Sequence, residues 1–182
     1  NPTRTGVIDI LKLMGADIEL SNHAEVGGEP VADVRIRSAS LKGIEIPEHL
    51  VPLAIDEFPV LFVAAANATG RTVLTGAEEL RVKESDRIAV MAHGLQKCGI
   101  DAEPTEDGMI IQGLGHVDGL RYKATNIESQ GDHRIAMSFS VAAIRAQGTM
   151  VIHGAQTVDT SFPGFVALAN SLGMQVQSVR KG

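Results

Sequence analysis

Apolar residues fall at Val7, Ile10, Leu11 and Met14, and again at Ile88, Met91, Ala92 and Leu95, the three-and-four spacing of a single helix face. This predicts amphipathic helices near residues 5–14 and 84–98. Val34 and Ile36 alternate with polar neighbours as a strand does, and Asp101 to Gln112 reads as a hairpin with Asp107-Gly108 at its turn. Three helix-to-strand junctions share one pattern, an apolar-periodic helix closed by glycine and followed at once by alternation. They run from Leu11 to Leu20 around Gly15, from Leu95 to Glu103 around Gly99, and from Leu168 to Val179 around Gly173. Glycine there supplies the left-handed conformation that ends a helix. The junction glycines lie 84 and 74 residues apart, room for a small multi-element unit each, so the domain is predicted to be internally triplicated.

A second echo supports the repeat. Val63-Ala64-Ala65 with Gly70, Val73 and Gly76 matches Val141-Ala142-Ala143 with Gly148, Val151 and Gly154, each pair 78 residues apart. The shared element is an alanine-rich helix, a glycine turn and a short strand, and a helix apolar on most sides must be buried. Both helices are therefore expected at the centre. Ser161 is a plausible N-cap for a helix with Pro163 in its first turn, ending before Gly173. In the first two units a second strand follows the first, Val31 to Arg37 after Ala16 to Leu20 and Met109 to Gln112 after Ile100 to Glu103. Nothing comparable follows Met174 to Val179, which is expected to form a strand without a partner in this chain.

Composition narrows the class. The 182 residues are 44% hydrophobic and 21% charged, as in a packed globular domain, and the longest apolar stretch, Val60 to Ala66, is far too short to span a membrane. A net charge of −6, five Phe, one Tyr and no Trp leave little for a nucleic-acid surface. The lone Cys98 excludes an internal disulfide, reads as a small buried hydrophobe, and fits a reducing, cytoplasmic compartment. The chain opens on Asn1 without an initiator Met and is read as part of a longer polypeptide.

Two segments place cations where a helix begins. Arg81-Val82-Lys83-Glu84-Ser85-Asp86-Arg87 leads into the amphipathic helix, and Gly131-Asp132-His133-Arg134 leads into a buried one. Helix N-termini carry partial positive charge, so Lys and Arg there are unfavourable unless an anion compensates. Each segment alone also has a plain reading: a solvated face in which Glu84 pairs with Arg87, and a helix start capped by Asp132 with a structural His133. Asp56, beside Glu57 and Pro59, precedes the other buried helix. If the repeats pack around a common axis, Asp56, Lys83, Glu84, Arg87, His133 and Arg134 meet in one polar mouth suited to multiply anionic small molecules. No P-loop, HExxH or G-x-S-x-G string is present.

At these residues the chain resembles the enolpyruvyl transferases. The matching strings are Asn1 to Gly6 (NPTRTG), Ala54 to Glu57 (AIDE), Leu80 to Arg87 (LRVKESDR), Gly131 to Met137 (GDHRIAM) and Thr160 to Pro163 (TSFP). The resemblance implies an α/β (α+β) fold, internally triplicated from βαβαββ-type units, with buried helices and mixed sheets. It further implies that residues 1–182 are the C-terminal domain of a two-domain enzyme whose N-terminal domain forms the opposite wall of a cleft. The implied reaction moves the enolpyruvyl group of phosphoenolpyruvate to the 5-hydroxyl of shikimate 3-phosphate with release of phosphate, without metal or organic cofactor. By resemblance Asp56 holds the shikimate ring and accepts the hydroxyl proton, and Glu84 exchanges a proton with the methylene carbon. Lys83 lies near the 3-phosphate, and Arg87 and Arg134 clamp phosphoenolpyruvate with His133 beside them. Some members carry a lysine where this chain has Thr160, so Thr160 receives no catalytic role. Alone, the chain is expected to be inactive. Two rivals stand beside this reading: an enolpyruvyl transferase acting on UDP-N-acetylglucosamine, and a non-catalytic anion-binding module that would tolerate loss of Glu84.

Overall fold

The first helix, α1 (Gly6–Leu13), turns Ile10 inward and is followed by buried Met14. Gly15 then bends the chain into β1 (Asp17–Val26), which pairs antiparallel with β2 (Glu29–Arg37), placing Ile18 opposite Ile36 and Leu20 opposite Val34. A computed structural model describes residues 1–115 and 121–179 of the protein. Among these residues no third strand joins the ribbon, so Val34 and Ile36 stay exposed although their alternation is that of a half-buried strand.

The second unit is the most complete. Its helix α2 (Phe58–Asn67) buries Phe58, Leu61, Phe62, Val63, Ala65 and Ala66, and leads into β3 (Thr69–Leu74). Helix α3 (Arg87–Lys97) then precedes β4 (Asp101–Pro104) and β5 (Met109–Leu114), and the three strands form an antiparallel sheet in the order β3-β5-β4. The predicted hairpin is present, closed by Thr105 N–H donating to the Gly108 carbonyl at 3.0 Å. Gly108 is needed there for room: a Cβ would lie 2.0 Å from the Leu74 carbonyl oxygen.

In the third unit β6 (Tyr122–Lys123) and β7 (Asn126–Glu128) precede α4 (His133–Ala142), and β8 (Ala146–Gln147) and β9 (Val151–His153) follow it. The strands pair in parallel, β6 with β8 and β7 with β9. The second unit repeats this pairing in reduced form, through single parallel bridges from Lys42 to Thr69 and from Glu45 to Val73. The chain continues through α5 (Val158–Ser161) and α6 (Phe165–Ser171).

The repeat extends to the backbone. The junction glycines Gly15, Gly99 and Gly173 have φ of +96°, +87° and +91°, and the pairs 78 residues apart agree as well, Gly70 and Gly148 at +94° and +104°, Gly76 and Gly154 at +69° and +75°. These are conformations in which a side chain is strained.

Four expectations are corrected. Helix α3 begins at Arg87, not near residue 84, because the Asp86 carboxylate caps it by accepting the Ala89 N–H. Ser161 ends α5 instead of capping the last helix, and α6 starts only after Gly164, whose left-handed backbone at φ +83° breaks the run. Helix α4 is buried on one side only: Ile135, Ala136, Phe139 and Ala142 face the core while Val141 is exposed. Residues 174–179 form no strand. Instead the Asn170 side chain grips Val176, donating to its carbonyl and accepting from its N–H at 2.9 and 2.8 Å, as a neighbouring strand would at one position.

The helices of neighbouring units cross closely where α3 meets α4. A Cβ on Gly94 would sit 2.2 Å from the Phe139 ring, which is fully buried and cannot move aside. Gly94→Ala is therefore expected to cost about 1–3 kcal/mol by overpacking, read as a lower urea midpoint; an unchanged midpoint would mean the crossing can open.

Candidate active site

Three helix starts converge on one carboxylate. Asp56 lies in a 3-10 turn, Ile55–Glu57, immediately ahead of α2; Lys83 follows a 3-10 helix, Glu78–Val82; Arg87 opens α3; and His133 and Arg134 open α4. Lys83 Nζ and Arg87 Nη1 approach Asp56 Oδ1 at 3.4 and 3.3 Å, and Arg134 Nη2 approaches Oδ2 at 3.8 Å. Arg134 is further held by Nη1 donating to the Asp56 carbonyl at 2.9 Å and pairing with Glu57 at 3.5 Å. Five of the six residues singled out in the sequence, Asp56, Lys83, Glu84, Arg87 and Arg134, are thus joined by ion pairs. Among the described residues His133 enters none of these pairs, although it adjoins Arg134 at the same helix start.

Arg87 is the structural hub. Its side chain is 1% exposed, with Nε on Asp132 at 2.8 Å, Nη1 on Asp56 and Nη2 on Glu84. Asp132 is itself 0% exposed, accepts from Ser85 Oγ at 3.1 Å, and caps α4 by accepting the Arg134 N–H at 2.9 Å. The penalty expected for cations at these helix starts is therefore cancelled within the chain, by Asp86 and Asp132 as caps and by Asp56 and Glu84 as counter-charges. Glu84 remains 52% exposed on the outer side of the cluster.

Two contributors escape a reading of charged runs. Arg4 donates to Asp56 Oδ2 at 2.7 Å across 52 residues of chain, and its only signal is its place in the NPTRTG string. Asp132 reads as an ordinary cap, and its bond to Arg87 is a tertiary contact that periodicity does not encode. Glu57 also reaches the cluster, with Oε2 buried and without a hydrogen-bond partner among the described residues. There is no group of three or more His, Cys, Asp or Glu among the described residues that could hold a metal ion.

The cluster sets its own ionisation. Burial pushes the Asp56 carboxyl up, but the Arg4 hydrogen bond and the Arg134 and Lys83 charges outweigh it and bring it down to about 2. Asp132 is likewise raised by burial and lowered further by Arg87, the Arg134 N–H and Ser85, for a net depression. Lys83 is raised, first by its hydrogen bond to Glu79. Because the folded carboxyls bind protons less readily than unfolded ones, their stabilisation is complete above the ordinary carboxyl value of about 4 and is lost as pH falls toward about 2. Urea midpoints measured from pH 5 downward should fall, and Asp56→Asn should flatten part of that slope; a parallel slope would remove Asp56 from the acid response.

The repeated α/β architecture is that of the enolpyruvyl transferase fold. An enolpyruvyl transferase structure, NikO from Streptomyces tendae, shares this fold at a TM-score of 0.66 with 18% identity, covering 96% of this chain and 36% of that one. The chain belongs to the EPSP synthase (3-phosphoshikimate 1-carboxyvinyltransferase) family, whose model matches residues 1–168. It is 64% identical over 177 residues to the 3-phosphoshikimate 1-carboxyvinyltransferase of Methylococcus capsulatus, covering 97% of this chain and 39% of that protein. The corresponding Hydrogenovibrio crunogenus protein is 63% identical over 180 residues, covering 98% and 39%. An EPSP synthase structure from Acinetobacter baumannii superposes at a TM-score of 0.94 with 59% identity, covering 97% of this chain and 40% of that one. The chain thus spans about two-fifths of the length of the relatives it matches. No helix among the described residues is long and apolar enough to cross a membrane.

Proposed function

We propose that this chain is the C-terminal domain, residues 1–182, of a cytoplasmic two-domain enolpyruvyl transferase, supplying one wall of a cleft. In this reading the substrates are phosphoenolpyruvate and shikimate 3-phosphate, and the products are the 5-enolpyruvyl ether and inorganic phosphate. The convergence of Asp56, Lys83, Arg87 and Arg134 at helix starts carries it, because both substrates bring the anions for which such cations are suited.

Addition begins as C3 of phosphoenolpyruvate gains a proton and the 5-hydroxyl oxygen bonds to C2, losing its own proton to Asp56. Elimination then breaks the C2–O bond to phosphate, which leaves with the proton that Asp56 took up, and removes a proton from the new methyl group. Glu84, exposed and bonded to Arg87, is positioned to give and take that carbon-bound proton. Lys83 meets the 3-phosphate, and Arg87, Arg134 and His133 meet the carboxylate and phosphate of phosphoenolpyruvate. Every Arg87 nitrogen is engaged with a carboxylate, and the Glu84 contact is the accessible one, so an incoming anion exchanges with Glu84. An Asp56 held near 2 is a weak base; substrate phosphates that draw Lys83 and Arg134 toward themselves raise its basicity when it is needed.

Phosphate release by the full-length protein, with shikimate 3-phosphate and UDP-N-acetylglucosamine offered separately as acceptors, tests the reading. Release only with shikimate 3-phosphate is expected; release only with the sugar nucleotide would assign the chain to the other acceptor.

A further inference from the structure

We propose that Arg4 is a positioning residue of the site, locking the rotamer of the Asp56 carboxylate by holding Oδ2 so that Oδ1 is presented to Lys83 and Arg87. The proposal rests on the role given to Asp56 above and adds to it a residue from a different unit of the repeat. Arg4 makes the shortest of the contacts to the Asp56 carboxylate, 2.7 Å against 3.3 Å or more for the other three cations. It is also the cation that takes Oδ2 at hydrogen-bonding distance, Arg134 standing off at 3.8 Å.

An ion pair whose arginine is 58% exposed ordinarily contributes little, because solvent screens it and the side chain must be immobilised. Here the immobilisation is built into the backbone. Asn1 Oδ1 accepts both the Thr3 N–H at 3.1 Å and the Thr3 hydroxyl at 2.8 Å, and the Arg4 N–H returns to the Asn1 carbonyl at 3.0 Å, winding residues 2–4 into a 3-10 turn. Gly6 then lays this turn flat on the segment ahead of Asp56. Its N–H donates to the Leu53 carbonyl at 3.2 Å, and a Cβ there would lie 2.8 Å from Leu53 atoms. The NPTRTG string thus encodes a cap, a turn, the arginine it aims, and the close approach that brings it within reach.

The groups facing Asp56 come from each surrounding element: Arg4 from the first turn, Lys83 from the loop before α3, Arg87 from α3, Arg134 from α4, and Glu57 beside it on its own turn. Glu79 is bonded to Lys83, and Glu84 and Asp132 to Arg87, so those two cations are partly neutralised elsewhere. Arg4 has Asp56 as its hydrogen-bonded carboxylate and contributes the leading favourable interaction with it.

The test uses the full-length protein labelled with 13C at the aspartate carboxyl carbon, with Asp56→Asn to assign the resonance. Arg4→Gln is expected to raise the Asp56 titration midpoint by about one pH unit or more, and Arg4→Lys to restore most of the shift. In turnover, Arg4→Gln is expected to lower kcat/KM for the acceptor about 10- to 100-fold while leaving KM for phosphoenolpyruvate near its original value. An unchanged midpoint in Arg4→Gln overturns the proposal, and so does a shifted midpoint with unaltered acceptor kinetics, which would make Arg4 a bystander charge. The carboxyl titration needs no turnover. If the unsubstituted protein transfers no enolpyruvyl group, the assigned reaction fails while the midpoint still decides whether Arg4 governs Asp56.

Discussion

Asp132→Ala should be strongly destabilising, lowering stability by about 3–5 kcal/mol. Three losses coincide. Arg87, 1% exposed, keeps its charge in the interior without its buried partner, because solvent cannot reach Nε to replace the carboxylate. Ser85 Oγ loses the acceptor it uses at 3.1 Å, and α4 loses the cap on its Arg134 N–H. Asp132→Asn retains the shape, an acceptor and the cap but removes the charge, so it should fall between the two. Replacing both partners with apolar residues should recover part of the loss, since the buried charge is then absent as well. Urea unfolding of the four proteins measures the series; a loss below about 1 kcal/mol for Asp132→Ala would mean that Asp56 and Glu84 suffice as counter-charges for Arg87.

Glu84→Gln in the full-length protein should lower kcat about 10²- to 10⁴-fold while shikimate 3-phosphate binding changes little. Glutamine keeps the length of the side chain and can still accept from Arg87 Nη2, so the hub around Asp56 and Asp132 is preserved. It cannot take up and return a proton, as the proposed exchange with carbon requires. The same substitution separates an enzyme from an anion-binding module, which would lose binding with the cations and not with Glu84. Unchanged turnover would take Glu84 out of the mechanism.

What the sequence made legible follows from the range of each signal. Period and glycine punctuation are local, so α1, α3 and the β4-β5 hairpin could be read directly, and the 78-residue echo placed α2 and α4 with matching φ at Gly70 and Gly148. Residues 165–171 and 174–179 were harder. A left-handed Gly164 and the Asn170 clamp on Val176 are choices between local alternatives of similar free energy, which apolar spacing does not resolve. The candidate site was legible in its cations because they break the dipole rule at two helix starts. The partners were not: the Arg87–Asp132 and Arg4–Asp56 pairs join residues 45 and 52 positions apart, and only the packing of separate units brings them together. Arg87 shows the consequence. A residue read as a cation awaiting a ligand is first the buried counter-charge of Asp132, and its remaining nitrogens are shared with Asp56 and Glu84.

The claim that this chain is one wall of a shared cleft is tested most directly by shikimate 3-phosphate-dependent phosphate release from phosphoenolpyruvate, measured for the 182-residue chain, for the remainder of the full-length protein, and for the two mixed. Neither part is expected to turn over alone, mixing is expected to give turnover, and Asp56→Ala in the 182-residue part is expected to abolish it. Measurable turnover by the 182-residue chain alone would contradict the claim.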